Sequence, residues 1–305
     1  MKSEIKKFIK KIPILNNIGR KIIIWFENRE NQKIIKSRKN ANLRDYDYLS
    51  VLLTNKDKEM VASNPGLKKL HKQLNVYRQA QISSWNSFVY CKGYYYQGYL
   101  RIGINGIKPT EPRMENYSIN NLFNPNGKAL DIGSNSGFMV NYLSDYYNEI
   151  VGIEINPYLI KMGETVSKYL NHKNISFVNS DFITHNFDKK FDAVFSLSNH
   201  FTIDGNLNMS FESYINKIYN VMNDGGILFF ESHNIDGDDK DLEEKFRVAD
   251  KYFQILKYKM VKSFYPADID KLFAVFIKKN LVTDLSQDFS FNLEYAKTQY
   301  SYVEC

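Results

Sequence analysis

The chain has only 2 cysteines in 305 residues, Cys91 and Cys305. Two thiols so far apart supply neither a disulfide framework nor a zinc-ligand set, which points to a reducing, cytoplasmic compartment. Long apolar runs are also missing. The longest near the start is Ile22 to Phe26, far short of the roughly 20 residues that span a bilayer. The opening Met1-Lys2-Ser3-Glu4 leads into interleaved Lys and apolar positions, where a secretory signal would need an unbroken apolar stretch. No internal repeat or low-complexity tract is present. Net positive charge is missing from most of the chain. The formal +7 is concentrated in residues 1–40, which hold 12 Lys and Arg against 3 Glu; residues 41–305 hold 29 against 31 acidic, a net of −2. That balance disfavours binding to a nucleic-acid backbone.

Aromatic residues are abundant, with 22 Tyr and 21 Phe, and the preference for Lys, Asn and Ile reads as codon composition. Residues 4–26 place Ile5, Phe8, Ile9, Ile12, Leu15, Ile18, Ile22 and Trp25 at helical spacing among lysines, with a break at Pro13. Such a basic amphipathic arm, residues 1–40, suits either packing on a protein surface or peripheral contact with an anionic inner membrane. Residues 41–124 form an accessory or cap region: two solvent-facing helices up to residue 80 with a turn at Asn64-Pro65-Gly66, then an aromatic, Gly-punctuated stretch from Trp85 to Tyr117 that predicts short strands and loops.

From residue 125 to 280 strands and helices alternate, which predicts an α/β fold, a Rossmann-like parallel sheet with helices on both faces. The strands are Ala129–Ile132, Ile150–Glu154, Ile175–Val178, Phe191–Leu197, Ile227–Phe230, Tyr252–Val261 and Leu272–Ile277. Helices are expected over Phe138–Tyr147, after the N-cap Asn156-Pro157, and over the stripe from Phe211 to Met222 that stops at Asp224-Gly225-Gly226. Residues 281–305 read as a tail without an assigned role.

The chemistry lies in Ala129-Leu130-Asp131-Ile132-Gly133-Ser134-Asn135-Ser136-Gly137-Phe138. A dinucleotide turn would read Gly-x-Gly-x-x-Gly and hold a pyrophosphate on a helix N-terminus. Here the spacing is Gly-x-x-x-Gly, and Asp131 would repel an anion while suiting a ligand with an ammonium group. S-adenosylmethionine (SAM), with its amino group and sulfonium, is such a ligand. Glu154 ends the second strand, where a carboxylate accepts from ribose hydroxyls. Asp181-Phe182 follows the third, suited to the exocyclic amine and face of an adenine.

Over roughly residues 99–280 these motifs resemble the class I SAM-dependent methyltransferases. The resemblance implies their seven-stranded sheet and a cofactor set of Asp131, Gly133, Ser134, Asn135, Gly137, Phe138, Glu154, Ile155, Asp181, Phe182, Ser196 and Leu197. Asn135 stands where the middle glycine of the first motif is common. In this family the residues past the fourth strand face donor and acceptor, which makes His200, and His233 on the same sheet edge, candidate general bases. Mg-dependent O-methyltransferases carry an Asp at the end of strand four. Ser196, Ser198 and Asn199 stand here, so no metal is expected, and the lack of an Asn-Pro-Pro-Tyr type of motif favours an oxygen acceptor.

Gly106 to Arg113 with Tyr117, and Asn199-His200-Phe201-Thr202 before Asp204-Gly205, are similar to short segments of bacterial methyltransferases from capsule and O-antigen biosynthesis clusters. The similarity implies a sugar, sugar-nucleotide or lipid-linked glycan acceptor, with Arg113, Tyr117, Tyr95, Tyr99 and Asn199 as its contacts. A tRNA or small-metabolite methyltransferase, and a catalytically silent SAM-fold scaffold, stand as alternatives.

Overall fold

The computed structural model describes residues 46–84, 94–200, 209–263, 270–284 and 289–305. The basic arm lies outside these residues, as do Thr202, Asp204 and Gly205.

Two helices, α1 (Tyr46–Met60) and α2 (Pro65–Ser84), form on either side of the predicted turn. Asn64 caps the second through its Oδ1, which accepts from the Leu67 amide at 3.1 Å. The pair is not simply solvent-facing. Leu70 and Leu74, one turn apart in an otherwise polar helix, are buried with Met162, Val166, Tyr99, Ile102 and Ile104. Next come β1 (Gln97–Gly98) and β2 (Lys108–Pro109), paired in parallel. Their backbones approach so closely that a Cβ on Gly98 would lie 1.7 Å from the Asn105 carbonyl oxygen, and Gly106 holds φ +68°; only glycine fits both demands. Thr110–Tyr117 is a helix, α3, where short strands and loops were expected. Its Thr110 hydroxyl donates to the Gly98 carbonyl at 2.6 Å, which ties α3 to β1.

The main sheet is built from β3 (Lys128–Ile132), α4 (Phe138–Leu143), β4 (Glu149–Glu154), α5 (Pro157–Leu170), β5 (Ile175–Asn179), β6 (Phe191–Leu197), α6 (Phe211–Val221), β7 (Met222–Glu231), α7 (Leu242–Asp250), β8 (Phe253–Lys262), β9 (Asp270–Lys278), α8 (Leu293–Ala296) and β10 (Val303–Glu304). Its order is β10-β8-β9-β7-β6-β3-β4-β5. The run β7-β6-β3-β4-β5 is parallel, and β9, β8 and β10 add antiparallel. The sheet therefore has eight strands where the sequence predicts seven. The eighth comes from the C-terminal tail, which pairs Val303 with Tyr258. After β3 the chain winds outward through β4 and β5, then returns to β6 on the other side of β3. The loops leaving β3 and β6 thus diverge, and such a switch point opens a crevice at the carboxyl edge of the strands.

Alternation along each strand divides the core between two faces. Leu130, Ile132, Val151, Ile153, Val194, Leu228 and Phe230 pack under α6 and α7. Ala129, Ile150, Ala193, Phe195 and Phe229 pack under α3 and α4. Asp131 shares the second face by parity. Asn156 caps α5 as expected, its Oδ1 accepting from the Tyr158 amide at 3.0 Å. Two boundaries differ from expectation. α4 ends at Leu143 instead of Tyr147, and Asp224-Gly225-Gly226 is absorbed into β7. There the register against β6 jumps from Phe191↔Met222 to Ala193↔Ile227, with Gly225 at φ +71°, so the glycine pair makes a bulge instead of a terminating turn.

Phe177 of β5 packs where α4 begins and α5 passes. A Cβ on Gly137 would stand 2.6 Å from its ring, and one on Gly163 would stand 2.5 Å from it. Gly163→Ala adds helix propensity yet overpacks this crossing, so urea denaturation is expected to show a net loss of about 1–3 kcal/mol, relieved when Phe177→Leu is added.

Candidate cofactor and acceptor site

A cleft of about 310 Å³ opens at this switch point. Its floor is the carboxyl edge of the sheet: Asp131, Ile132 and Gly133 after β3, Ile153, Glu154 and Ile155 after β4, and Leu197, Ser198 and Asn199 after β6. Ser180, Asp181 and Phe182 close one end, and Tyr96, Gln97 and Arg113 the other.

The turn after β3 is held in shape by its own residues. Gly133 and Asn135 both have left-handed backbones, φ +65° and +51°. Asparagine is among the few residues that tolerate that region, which explains how it replaces the family's glycine. The Asn135 amide donates to Glu154 Oε2 at 3.0 Å, and the Asn156 amide donates to Oε1 at 3.0 Å. Glu154 is thus aimed along the cleft by backbone bonds on both oxygens, each with acceptor capacity left over. Burial raises its pKa, and those amides oppose the rise. Asp131 differs. Its Oδ2 is buried without a hydrogen-bond partner among the described residues. Burial pushes its pKa up to about 7, with Arg113 opposing and Glu154 adding to the rise. A cationic ligand group would satisfy that oxygen, and an orphaned carboxylate in a cleft is otherwise a costly feature. Asp181 Oδ1 accepts from the Ile183 amide at 2.6 Å, which fixes the Ser180–Phe182 wall, and Phe182 packs on Tyr214 at 5.8 Å.

Ten residues expected in the site line the cleft: Asp131, Gly133, Asn135, Glu154, Ile155, Asp181, Phe182, Leu197, Arg113 and Asn199. Others stand behind it. Ser134 is buried under the turn, its amide donating to the Ile153 carbonyl at 2.9 Å. Gly137 serves the packing against Phe177, and Phe138 is fully buried among Tyr99, Ile102 and Ile104. Ser196 is buried too, its hydroxyl joined to Asn199 Oδ1 and Tyr214; Asn199 in turn donates to the Ile132 carbonyl, locking the ends of β3 and β6 together. Tyr95 packs on Phe138, and Tyr99 on Tyr142. Tyr117 stacks on Phe273 at 3.9 Å. None of these three tyrosines lines the cleft. In the cluster from Tyr94 to Tyr99 it is Tyr96 that does.

The two histidines expected as general bases also lie away from the cleft. His200 is fully buried, and its Nε2 donates to Asp239 Oδ1 at 2.8 Å. His233 packs beside it, tilted, with ring centroids 5.2 Å apart. Burial lowers the His233 pKa to about 3, and His200 and Lys271 add to the fall, which leaves it a poor base. Asp239 also accepts from Lys245 at 3.0 Å and from the His233 amide at 2.6 Å. The group thus joins the loops after β6 and β7 to α7, and neither imidazole lines the cleft.

Sequence reasoning missed Gln97, whose Oε1 accepts from the Phe138 amide at 3.0 Å and caps α4 from 41 positions upstream. It also missed Glu231. That carboxylate accepts from Arg113 Nη2 at 2.7 Å and Nε at 3.3 Å, from Lys271 at 3.3 Å, and from the hydroxyls of Tyr117 and Ser198. Burial would raise its pKa, but Arg113, Lys271 and Lys108 hold it well below the usual carboxylate range. Ser198 sits at the cleft with φ +58°, a conformation costly for serine. Only long-range packing could have revealed either residue.

Among curated proteins none matches this sequence. Solved structures with similar folds include the N-methyltransferase NodS from Bradyrhizobium japonicum WM9 in complex with S-adenosyl-L-homocysteine, 16% identical with a TM-score of 0.49 over 71% of this chain and 100% of that one. An rRNA methylase from Streptococcus thermophilus is 11% identical, TM-score 0.42, over 54% and 94%. An S-adenosylmethionine-dependent methyltransferase from Clostridium acetobutylicum ATCC 824 is 12% identical, TM-score 0.43, over 56% and 91%. The assignment rests instead on a family described as a methyltransferase domain, whose profile matches residues 123–283. With more than half of its length matched, the chain belongs to this methyltransferase family, and its cofactor is SAM.

Proposed function

We propose that this protein methylates a hydroxyl of a sugar, sugar nucleotide or lipid-linked glycan in the building of a cell-surface polysaccharide. The observation that carries the reading is the cleft's division of labour. The orphaned Asp131 oxygen and Glu154 offer acceptors to a cofactor's amino and ribose groups, and beyond them the wall turns to Tyr96, Arg113, Ser198 and Asn199. These polar side chains suit a hydroxyl-rich acceptor, and the short likenesses at Gly106–Arg113 and from Asn199 onward support the same class. When bound, SAM supplies an activated methyl group. The protein's part is to align the acceptor oxygen and exclude water, and orientation can supply much of the rate. The arm of residues 1–40 would keep the enzyme close to an anionic membrane where lipid-linked glycans lie.

Calorimetric titration tests the cofactor half directly. Wild-type protein is expected to bind SAM and S-adenosylhomocysteine, with Asp131→Ala weakening both by at least about tenfold, or ~1.4 kcal/mol. The pH dependence follows from the raised Asp131 pKa. Above about 7 the carboxylate is ionised and ready for a cation; below it, binding must first release a proton, so Kd should rise toward about tenfold per pH unit. Asp131→Asn should flatten that slope.

His200→Gln is expected to lower the melting temperature while leaving SAM affinity and the pH profile of turnover unchanged, because the imidazole holds Asp239 and not the acceptor. A shifted profile would return it to the chemistry. Co-sedimentation with anionic vesicles at low salt should be lost on deleting residues 1–26; indifference of the full chain to such vesicles would remove the membrane role.

A further inference from the structure

Behind the acceptor end of the cleft, Lys108, Arg113 and Lys271 surround Glu231, and all four side chains are more than nine-tenths buried. Three cations against one carboxylate leave a surplus of two positive charges in a space with little water. Buried charge is expensive unless matched, and Glu231 is already saturated by Arg113, Lys271, Tyr117 and Ser198. Lys108 Nζ stands 3.7 Å from it, outside hydrogen-bond range.

The cations are not sealed from the cleft. Arg113 lines it. Lys271 Nζ donates to Ser198 Oγ at 2.6 Å, and Lys108 Nζ lies 5.7 Å from the centre of the Tyr96 ring. Ser198 and Tyr96 are themselves wall residues, so each lysine sits one side chain behind the surface an acceptor would meet. Burial and Lys108 lower the Lys271 pKa to about 8, with Glu231 opposing, as expected where cations outnumber their counter-charges.

Resting on the methyltransferase reading above, we propose that Lys108, Arg113 and Lys271 form a subsite for an anionic group of the acceptor, a carboxylate or a phosphate. The charge count separates this group from the cofactor's own carboxylate. Asp131 balances the cofactor's ammonium, and the cofactor's carboxylate cancels one of the two surplus charges. With Glu154 set against the sulfonium of SAM, one positive charge remains, and it selects an acceptor bearing an anion near the methylated oxygen over a neutral one.

The probe is inorganic phosphate, titrated by calorimetry into protein saturated with S-adenosylhomocysteine. The expected result is binding to the wild-type complex, weakened at least about tenfold in Lys108→Met and in Lys271→Met and retained in Lys108→Arg, with S-adenosylhomocysteine still bound by all four. Methionine fills the space of each lysine and removes surplus charge, so the variants should fold, and cofactor binding reports that they do. If phosphate binds only the cofactor-free protein and competes with S-adenosylhomocysteine, the cations serve the cofactor's carboxylate and the proposal is overturned. No phosphate binding to a folded wild-type complex overturns it as well. A wild-type protein that binds no S-adenosylhomocysteine sinks the methyltransferase reading instead, while lysine-dependent phosphate binding to that protein would still uphold the anion subsite.

Discussion

Glu231 is the point at which four distant pieces of chain are pinned together. It ends β7, and it is reached by Lys108 of β2, by Arg113 and Tyr117 of α3, by Ser198 just past β6 and by Lys271 of β9. Such a cluster contributes little net stability beside an apolar core of the same volume. Loss of the carboxylate is another matter, because it strands the cations in a dry place at about 3–5 kcal/mol. Its role is therefore one of specification. Only with α3 seated over the sheet edge do Tyr96, Gln97 and Arg113 become a wall, and without that wall the crevice between β3 and β6 would be an open groove. The tail and β8 strengthen the seat, since the Tyr302 hydroxyl donates to the Tyr117 carbonyl and Lys259 of β8 donates to the Asn116 carbonyl.

The cleft is electrically polar along its length. One end carries Asp131 and Glu154, acidic and forced by burial to hold protons more tightly than usual. The other backs onto the cations around Glu231. A ligand with separated charges is oriented by such a field before any close contact forms, and little water is available to screen it. The tension in the field is also a stability cost. Asp131 is the clearest case: with a folded pKa near 7 against 3.8 in a model peptide, its contribution to stability is lost as pH rises between those values. The fold tolerates a destabilised carboxylate there because a bound cation repays it, a usual trade at functional sites.

What the sequence made legible was whatever is local. The Asp131–Gly137 turn, Glu154 at its strand end and Asp181-Phe182 after β5 each lie within a few residues of the element that positions them, and all but the buried Ser134, Ser136 and Gly137 reach the cleft. The parallel strands were readable from their apolar runs for the same reason. Gln97 and Glu231 were not, since their roles come from partners 41 and 118 positions away. The misplaced boundary at Gly225-Gly226 has a related cause. Two glycines suit a turn or a bulge equally well, and the choice falls to the pairing of β7 with β6.

The histidines and tyrosines show why residue type alone misleads at a sheet edge. Loops at the carboxyl ends of strands carry both the chemistry and the fastenings that keep those loops in place. A polar side chain at such a position serves one or the other according to whether its partner lies in the cleft or beneath it. His200 turns toward Asp239, and Asp239 is already committed to Lys245 and to the His233 amide. That makes the imidazole the link between two loops. Tyr99 and Tyr117 are placed alike: each ring is 2% exposed or less, and the Tyr117 hydroxyl is spent on Glu231. The aromatic wealth around β1 and α3 thus builds the rigid backing of a wall whose exposed chemistry is carried by Tyr96, Gln97, Arg113, Ser198 and Asn199. On the reading proposed above, acceptor selectivity rests on those few residues in front and on the buried, charged layer behind them.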